Sequence, residues 1–336
     1  MNYFCTFFDS RYLARGAALH HSLLAQGAPF HLWILCMDDE TYQMLARRSL
    51  GNVTLLTVAD LEHADPRMRL ARQDRSLVEL YFTSKSFLCQ YILDTHPEVD
   101  LLTYLDADVY FFGDPTVIRA EMNNYSVGLT PHRFPGRLKT LERYGKFNAG
   151  FVCFRRDSNG LACLAWWRDN CFAWCHDYVD NERFADQRYL DLIPERFEKV
   201  RRIEHKGINL APWNISQYQT TWNGGDVIID GDPLVLYHFH GLQRVGDSRY
   251  DTSSYNYKTS LSATVRNYIY RPYVDVLEKD KSCKIARSAD IRNGWVKFRT
   301  LDTFLPSFLT AYRSITRLLK GLYYRSFIYS GQKLLK

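Results

Sequence analysis

The first third of the chain alternates between strand-like and helix-like segments, and this alternation restricts the possible folds more than any other feature. Three segments have the β-branched and aromatic content of strands: "NYFCTFF" (2–8), "FHLWILCM" (30–37) and "VTLLTV" (53–58). Between and after them, residues 12–27, 39–49 and 75–97 carry apolar residues at helical spacing. Strands alternating with helices predict an α/β fold with a mostly parallel sheet flanked by helices, which binds ligands beyond the carboxyl ends of its strands.

Two aspartates follow the fourth predicted strand, in "DLLTYLDADVYFFGDP" (100–115). Carboxylates taken out of water must be paired, hydrogen-bonded or bound to a metal. A pair such as Asp106 and Asp108 at a strand end is often only a turn or a helix cap. On a loop beyond a parallel strand, however, adjacent carboxylates suit Mg²⁺ or Mn²⁺, which proteins commonly hold together with substrate phosphates. Asp9, after the first strand, is expected at the same edge.

Beyond the aspartates the pattern becomes mixed, with no internal repeat and no low-complexity linker. "YSVGLTPHR", "NAGFVCFRR" and "DPLVLYHFHG" resemble strands, and "LACLAWWRDNCFAW" resembles a helix. We therefore predict one compact catalytic unit over residues 1–250. Residues 251–300 form a polar, tyrosine-rich extension whose secondary structure the pattern does not indicate, and residues 301–336 form a basic carboxyl-terminal segment.

The formal net charge of +6 is matched by the six basic residues after position 311, where no acidic residue occurs. The rest of the chain is nearly neutral, which argues against a nucleic-acid partner. The charge indicates instead a local basic segment at the carboxyl end. As an amphipathic cationic helix, residues 301–336 would suit peripheral contact with an anionic membrane. The alternative is a helix packed on the body with a solvated basic face.

The amino end lacks the features of a signal peptide, and no apolar run approaches the roughly 20 residues of a membrane-spanning helix. The eight cysteines are scattered without the spacing of a disulfide scaffold, which favours reduced thiols in the cytoplasm. Cys171, Cys175 and His176 could be interpreted as a zinc site, but packing on a helix face is favoured because structural zinc normally has four ligands.

Seven short motifs, in this order, carry a resemblance to a known family: "TFFDSRY", "TSKSFL", "YLDADVYFF", "FNAGFVCF", "FADQRYLD", "NLAPWN" and "YHFHG". Together they cover roughly residues 2–245, and the ordered set is far more specific than any single motif. The chain resembles the retaining, nucleotide-sugar-dependent glycosyltransferases of the GT-A fold, and is similar to glycosyltransferase family eight. The resemblance implies a Rossmann-like GT-A domain that moves a hexose from a nucleotide sugar, usually a UDP-sugar, with retention of configuration.

The resemblance also implies roles for particular residues. Asp106, Asp108 and His238 would bind Mn²⁺ or Mg²⁺, with Gly241 following the ligand histidine; an imidazole beside two carboxylates favours manganese. We expect His240, two residues further on, to point the other way. The implied nucleotide contacts are Asp9 and Tyr12, which could also form the amino-terminal cap of the helix near Tyr12; both roles can hold at once. The other implied donor contacts are Lys85 at the phosphates or sugar, Asn148 and Gly150 at the sugar, Asp186 and Gln187 at the reacting face, and Trp213 and Asn214, which would wall the site.

One motif departs from the family. Where the family has a lysine that neutralises the leaving diphosphate, the chain reads "GLQRVGDSRY", with Arg244 as the nearest cation. The implied acceptor is a glycan or a lipid-linked glycan, such as a lipopolysaccharide core or a capsule precursor, reached from the cytoplasmic face of the membrane.

Two other functions compete with this one. "LLTYLDADV" also resembles the first motif of haloacid dehalogenase-type phosphohydrolases, with Asp106 as nucleophile and Asp108 as acid/base. "GDVIID", with Asp226 and Asp230, loosely resembles their later acidic motif, although the first motif normally closes the first strand of that domain. The second alternative is a catalytically silent module that binds a sugar or nucleotide.

Overall fold

A computed structural model describes residues 1–279 and 316–330. The strands are β1 (Asn2–Phe8), β2 (Phe30–Cys36), β3 (Val53–Thr57), β4 (Leu101–Leu105), β5 (Val109–Phe111), β6 (Val127–Pro131), β7 (Phe147–Arg155), β8 (Val200–Arg202), β9 (Thr220–Trp222), β10 (Val227–Ile229), β11 (Asp232–Pro233), β12 (Leu236–His238), β13 (Gln243–Arg244), β14 (Arg249–Asp251) and β15 (Phe327–Tyr329).

The helices alternate with the strands in the first part of the chain. They are α1 (Leu13–Ala25), α2 (Asp39–Ala46), α3 (Val58–Ala64), α4 (Arg67–Asp74), α5 (Leu77–Thr95), α6 (Thr116–Met122), α7 (Ser158–Ala173), α8 (Ile193–Arg196), α9 (Ala263–Val265) and α10 (Arg271–Lys279). Short 3-10 turns occupy Ser10–Tyr12, Gly136–Tyr144, Arg188–Leu192, Ile215–Gln217 and Ser254–Tyr257.

The central sheet has seven strands in the order β3-β2-β1-β4-β7-β6-β8. β1 pairs in parallel with both β2 and β4, and β2 pairs in parallel with β3, so the first four strands end at one edge. β7 runs antiparallel to β4 and to β6. The predicted α/β class with a mostly parallel, helix-flanked sheet is therefore confirmed.

Each face of the sheet has its own apolar layer. On one face α1 and α10 pack through residues such as Leu19, Leu23 and Val274. On the other face α5 and α7 pack through Leu88, Ile92 and Trp167. The strands of the central sheet consist of nearly continuous apolar runs because helices cover both faces of the sheet. This is the sequence pattern of a buried parallel sheet.

The end of the chain returns to the body. Phe327–Tyr329 pairs antiparallel with β14, which pairs with β13. The fully buried Asp251 accepts hydrogen bonds from Arg317 Nε (2.7 Å) and Ser326 Oγ (2.9 Å). Residues 316–323 are helical. Residues 280–300 of the predicted extension, and 301–315 and 331–336 of the predicted basic segment, lie outside the described residues. In the part that is described, no helix has both the length and the apolarity to cross a membrane.

Candidate active site

The aspartate motif lies in a turn that connects two different sheets. β4 ends at Leu105, and β5 then leaves the central sheet to pair antiparallel with β12, which places Val109 opposite His238. Two backbone hydrogen bonds fix the turn: Asp106 N donates to Gly150 O (2.9 Å), and Phe239 N donates to Asp108 O (2.8 Å). This ladder brings two segments that are far apart in sequence to one edge of the molecule.

Asp108, His238 and His240 converge at this edge. Their potential ligand atoms all lie within 4.8 Å of one another, the only such group of three or more His, Cys, Asp or Glu residues in the described ranges. Asp108 Oδ1 is 3.1 Å from His238 Nε2, yet neither ring nitrogen of the buried His238 makes a hydrogen bond of acceptable geometry within the described chain. The donor set fits a divalent ion that accepts nitrogen ligands.

Asp108 and His238 stabilise each other's charged forms. Burial raises the pKa of Asp108, but His238 opposes this and holds the pKa well below its usual range. For His238, burial lowers the pKa and Asp108 raises it, with a net increase. A divalent ion bound here would take the place of the proton on His238 and would supply the positive charge that Asp108 needs.

The expectation that His240 points away from the site was wrong. Its ring centroid lies 5.8 Å from that of His238, and its ligand atom belongs to the converging group. Side chains two residues apart on an extended segment share a face. The "HFH" spacing therefore places both imidazoles on the same side.

Asp106 faces two ways. Its Oδ1 accepts a hydrogen bond from Tyr104 OH (2.8 Å) and lies 3.5 Å from Lys85 Nζ, while Oδ2 lies 3.8 Å from His238 Nε2. Asp106 is therefore adjacent to the converging group, with one oxygen directed toward it and the other held by the protein.

Lys85, from the middle of α5, is locked between two carboxylates. Its Nζ lies 2.9 Å from Asp186 Oδ2 and 3.5 Å from Asp106, and it donates to Ala149 O at 3.0 Å. Burial alone would lower the pKa of Lys85, but Asp106 and Asp186 raise it, so the ammonium group stays charged. Burial also raises the pKa of Asp186, an effect that Lys85 only partly offsets. Lys85 thus sets the positions of both acids.

Asn148 and Gln187 lie together beside this pair. Gln187 Oε1 accepts from Ala149 N (3.2 Å) and from Asn148 Nδ2 (3.5 Å), and Gln187 Nε2 donates to Tyr144 O (2.8 Å). The amide of Gln187 is therefore oriented by backbone groups. This fixed polar surface adjoins the carboxylate edge, because β7 carries Asn148, Ala149 and Gly150.

Two residues of this cluster were missed by the sequence analysis. Asn209 Nδ2 donates to Asn148 Oδ1 (3.1 Å) and to Thr130 Oγ1 (2.8 Å). His132 Nε2 lies 3.3 Å from Asn148 Nδ2, and burial lowers the pKa of His132 to about 3. Asn209 opens "NLAPWN", so that motif already pointed to it; His132, at the end of "LTPH", gave no comparable signal.

Trp213 packs against three histidines of the site. Its ring makes edge contacts with His132, His238 and His240, at centroid distances of 5.3, 5.2 and 5.6 Å. Its Nε1 is buried without a hydrogen-bond partner among the described residues. By contrast, Asn214 makes its hydrogen bonds to backbone groups: its Oδ1 accepts from Ala211 N, and its Nδ2 donates to carbonyls including that of His132. Asn214 therefore braces the segment that presents Trp213.

Gly150 lies directly under the site. A Cβ atom there would come within 2.6 Å of Asp106 Oδ2, 2.7 Å of His238 Cε1 and 2.8 Å of Asn148 Oδ1. The absent side chain lets three polar groups from different segments approach one backbone position. Gly241, predicted beside the ligand histidine, has φ +78°, so it allows the chain to turn immediately after His240.

Asp9 and Tyr12 occupy the end of β1 at the same edge. Asp9 caps the first 3-10 turn by accepting from Arg11 N (3.1 Å), and its Oδ2 accepts from Arg11 Nε (2.7 Å) and Tyr81 OH (2.8 Å). Asp9 thus caps the short turn that precedes α1, whereas α1 itself begins at Leu13 without a side-chain cap. Burial raises the pKa of Tyr12, an effect that Arg15 partly offsets, and the Arg15 Cζ lies 4.4 Å from the centroid of the Tyr12 ring.

The residues of the competing interpretations lie in other surroundings. Asp226 and Asp230 flank β10 in a separate three-stranded sheet, and Asp230 Oδ1 accepts from Gln219 N (2.8 Å). Cys171 and Cys175 are fully buried in the apolar layer below α5. His176 Nδ1 lies 2.9 Å from Glu79 Oε1.

Two curated proteins of Bacillus subtilis (strain 168) are similar to this chain. Uncharacterized protein YfnF is 32% identical over 250 residues, covering 72% of this chain and 82% of YfnF, and uncharacterized protein YfnD is 31% identical over 275 residues, covering 81% and 87%. The chain belongs to the family of YfnF and YfnD. A scan of protein-family profiles finds no match.

Two solved structures resemble the fold of this YfnF and YfnD family member. The galactosyltransferase LgtC, solved with donor and acceptor sugar analogues, has a TM-score of 0.46 and 18% identity, covering 71% of this chain and 87% of LgtC. Mouse xyloside xylosyltransferase 1 has a TM-score of 0.47 and 15% identity, covering 71% and 98%. At such scores and identities, neither likeness establishes the activity of this chain.

Proposed function

We propose that this protein is a metal-dependent glycosyltransferase that moves a hexose from a nucleoside-diphosphate sugar, with a UDP-sugar as the first candidate, to a glycan or glycolipid acceptor with retention of configuration. The observation that carries the proposal is the convergence at one sheet edge of three polar groups of different kinds. They are the candidate metal ligands Asp108, His238 and His240, the nucleotide-side residues Asp9 and Tyr12, and the fixed amides and acid Asn148, Gln187 and Asp186.

The metal would be held by Asp108 and His238, with Asp106 and His240 beside them. Two carboxylates and two imidazoles favour Mn²⁺ over Mg²⁺, because magnesium prefers an all-oxygen shell. When bound, the ion would neutralise the diphosphate of the donor and the charge that grows on it as the sugar leaves. Gly150 keeps the ligand side free of steric obstruction.

The nucleotide and the sugar would lie on opposite sides of this centre. The ring of Tyr12 offers a stacking surface for a base, and Asp9, on the same turn, would accept a hydrogen bond from the base or ribose. Asn148, Asp186 and Gln187 would contact the sugar. Trp213, with its unbonded Nε1, would close the acceptor side and donate to a hydroxyl there.

The chemistry follows from the distribution of charge. The bond between the anomeric carbon and the phosphate oxygen breaks with its electron pair going to the diphosphate, so the sugar ring becomes positive. Asp186 and the carbonyl oxygens of Asn148 and Gln187 stabilise that positive charge. The acceptor hydroxyl attacks from the same face and gives its proton to the departing phosphate oxygen, which accounts for retention without a separate general base.

Lys85 acts in this scheme through its neighbours. It was expected at the phosphates or sugar, but its ammonium group is engaged by Asp106, Asp186 and Ala149 O. A buried charge that satisfies two carboxylates gives them fixed positions. We therefore propose that Lys85 orients the metal-side acid and the sugar-side acid relative to each other.

The location of the acceptor is proposed from the carboxyl-terminal segment. Leu319, Leu322 and Tyr323 are 60%, 61% and 79% exposed on the helical residues 316–323, next to the exposed Lys320. Apolar and basic side chains together on one exposed helix suit an anionic membrane surface. We propose a cytoplasmic enzyme that contacts the membrane peripherally, where a lipid-linked glycan would be available.

The test is turnover of a panel of UDP-, GDP-, ADP- and dTDP-sugars with Mn²⁺ or with EDTA, with the released nucleoside diphosphate quantified by chromatography. We expect release with at least one donor, dependent on metal and lost in Asp108→Asn, whereas the control Asp226→Asn retains it. Hydrolysis of phosphate monoesters without turnover of any nucleotide sugar would support the phosphohydrolase instead. Tight binding without turnover would support a silent module.

A further inference from the structure

The proposed reaction leaves a nucleoside diphosphate, and the chain lacks the expected cation for it. Arg244, the nearest basic residue to the family's lysine position, is already occupied: its Nε lies 3.3 Å from Glu278 Oε1, and its Nη2 donates to Asp247 O at 2.7 Å. A guanidinium balanced by its own carboxylate supplies little charge to a ligand. Another residue must therefore meet the leaving group.

Arg15 contacts the segment between His240 and Arg244. It is in the first turn of α1, only 6% exposed, and its Nη2 donates to the carbonyl of Leu242 at 2.8 Å. Leu242 comes two residues after His240. Arg15 thus links the helix that follows β1 to the loop that follows the candidate metal ligands.

The guanidinium also stacks on the proposed base-binding ring. Its Cζ lies 4.4 Å from the centroid of Tyr12. Within the described residues, no carboxylate lies within 4.0 Å of an Arg15 nitrogen. Burial lowers the pKa of Arg15, while Tyr12, Tyr273 and Asp108 raise it, with a net increase, so the guanidinium stays charged.

A buried guanidinium without a carboxylate partner is an unusual and costly arrangement. Asp108 is not within ion-pair distance of Arg15 and is already paired with His238. An anion placed against the Arg15 guanidinium, between Tyr12 and the Leu242 segment, would complete the charge balance. A diphosphate has that charge, and its oxygens match the fork of a guanidinium.

We propose that Arg15 binds the diphosphate of the donor and stabilises the leaving phosphate, in place of the lysine that the resemblance leads one to expect after the histidine motif. This inference rests on the proposed function. Arg15 reaches the diphosphate from the side of β1 and Tyr12. The aromatic ring of Tyr12 holds the guanidinium plane, and Leu242 O fixes one of its nitrogens.

The experiment separates a charge contact from a structural role by trimming the ligand. The affinities of wild type, Arg15→Gln, Arg15→Lys and the control Arg244→Gln are measured by calorimetry with Mn²⁺ for five nucleoside diphosphates (UDP, CDP, GDP, ADP and dTDP) and for the matching monophosphates and nucleosides. We expect Arg15→Gln to weaken diphosphate binding at least tenfold and nucleoside binding less than twofold. The diphosphate affinity of Arg15→Lys should lie between those of wild type and Arg15→Gln. The diphosphate affinity of Arg244→Gln should stay within twofold of wild type.

The outcomes are distinguishable. If the wild type binds none of the five diphosphates, the proposed function itself fails. If the wild type binds a diphosphate but Arg15→Gln loses affinity for the diphosphate and for the nucleoside by the same factor, Arg15 only braces Leu242 and the inference is wrong. If Arg15→Gln does not fold, Arg15→Lys decides: a loss for diphosphate at least threefold greater than for nucleoside supports the inference, and equal losses refute it.

Discussion

Gly150→Ala is the substitution that most sharply tests whether the converging residues form one site. The new Cβ would lie 2.6 Å from Asp106 Oδ2, 2.7 Å from His238 Cε1 and 2.8 Å from Asn148 Oδ1. Ordinary non-bonded contacts begin at about 3.5 Å, so these groups would each have to move by roughly 0.7–0.9 Å. The backbone of Gly150 lies outside the left-handed region, so the effect comes from the side-chain atom and not from a strained φ.

The displacement exceeds what a metal site tolerates. Metal–ligand distances hold to within about 0.2 Å, and disturbing the groups around a ligand commonly lowers metal affinity about 10- to 100-fold. We therefore expect Mn²⁺ binding to weaken by at least about tenfold, equivalent to about 1.4 kcal/mol. Because β7 is buried, we also expect the free energy of unfolding to fall by about 1–3 kcal/mol.

Mn²⁺ affinity is measured by titration with electron paramagnetic resonance detection of the free ion, and stability by urea denaturation. Gly51→Ala is the matched control, since nothing lies within 4 Å of a Cβ there. The reasoning is refuted if Gly150→Ala keeps Mn²⁺ affinity within twofold of wild type while remaining folded.

Three further predictions concern other parts of the chain. Although burial opposes it, hydrogen bonds from Ser76 and neighbours lower the pKa of Glu79 to about 2, from an ordinary 4.5; Glu79→Gln should therefore cost about 1–2 kcal/mol of stability at pH 7. That cost should shrink as the pH falls from 4.5 toward 2, when measured by urea denaturation, and a cost independent of pH would contradict the assignment. Lys85→Gln leaves the buried Asp186 and the partly exposed Asp106 without their cation and should lower the free energy of unfolding by about 3–5 kcal/mol; a melting temperature equal to that of wild type would count against the bridging role. Leu319→Glu/Leu322→Glu should abolish co-sedimentation with anionic vesicles without changing donor turnover, whereas Leu70→Glu, at an equally exposed apolar position, should not affect it; unchanged sedimentation of the double variant would refute membrane contact through this helix.

Local patterns were sufficient to predict the four parallel strands β1 to β4 and the helices α1, α2 and α5, but they did not predict α3, α4 or the edge strand β8. The alternation of strands and helices up to the aspartate motif is visible because each segment is a buried run bounded by Gly or Pro, as at Gly27 and Pro97. The edge position of Asp9, Asp106 and Asp108 followed from the parallel order alone.

Contacts between distant segments were not predictable in this way. The resemblance implied that His238 lies near Asp108, but the pairing of β5 with β12 that brings them together was not predicted, since no spacing rule links residues so far apart. The pairing of β15 with β14 was not foreseen, because "FIY" is a short strand within a segment whose basic residues suggested a helix. His132 was missed for the same reason: its contact with Asn148 depends on the packing of β6 against β7.

The ion-pair partners of a charged residue also cannot be predicted from local sequence patterns. Lys85 and Arg244 were both predicted to face the donor, and the structure gives each a carboxylate partner, Asp186 and Glu278. Those partners are distant along the chain, so the sequence could identify cations near the site without showing which of them are already neutralised.

The central claim is that Asp108, His238 and the donor diphosphate share one metal ion. Crystals grown with Mn²⁺ and the nucleoside diphosphate that binds most tightly allow the ion to be located from its anomalous scattering. The account predicts one manganese peak about 2.0–2.3 Å from a carboxylate oxygen of Asp108, from a ring nitrogen of His238 and from a phosphate oxygen. A bound nucleotide whose diphosphate carries no manganese, or manganese bound elsewhere with Asp108 and His238 unliganded, would contradict it.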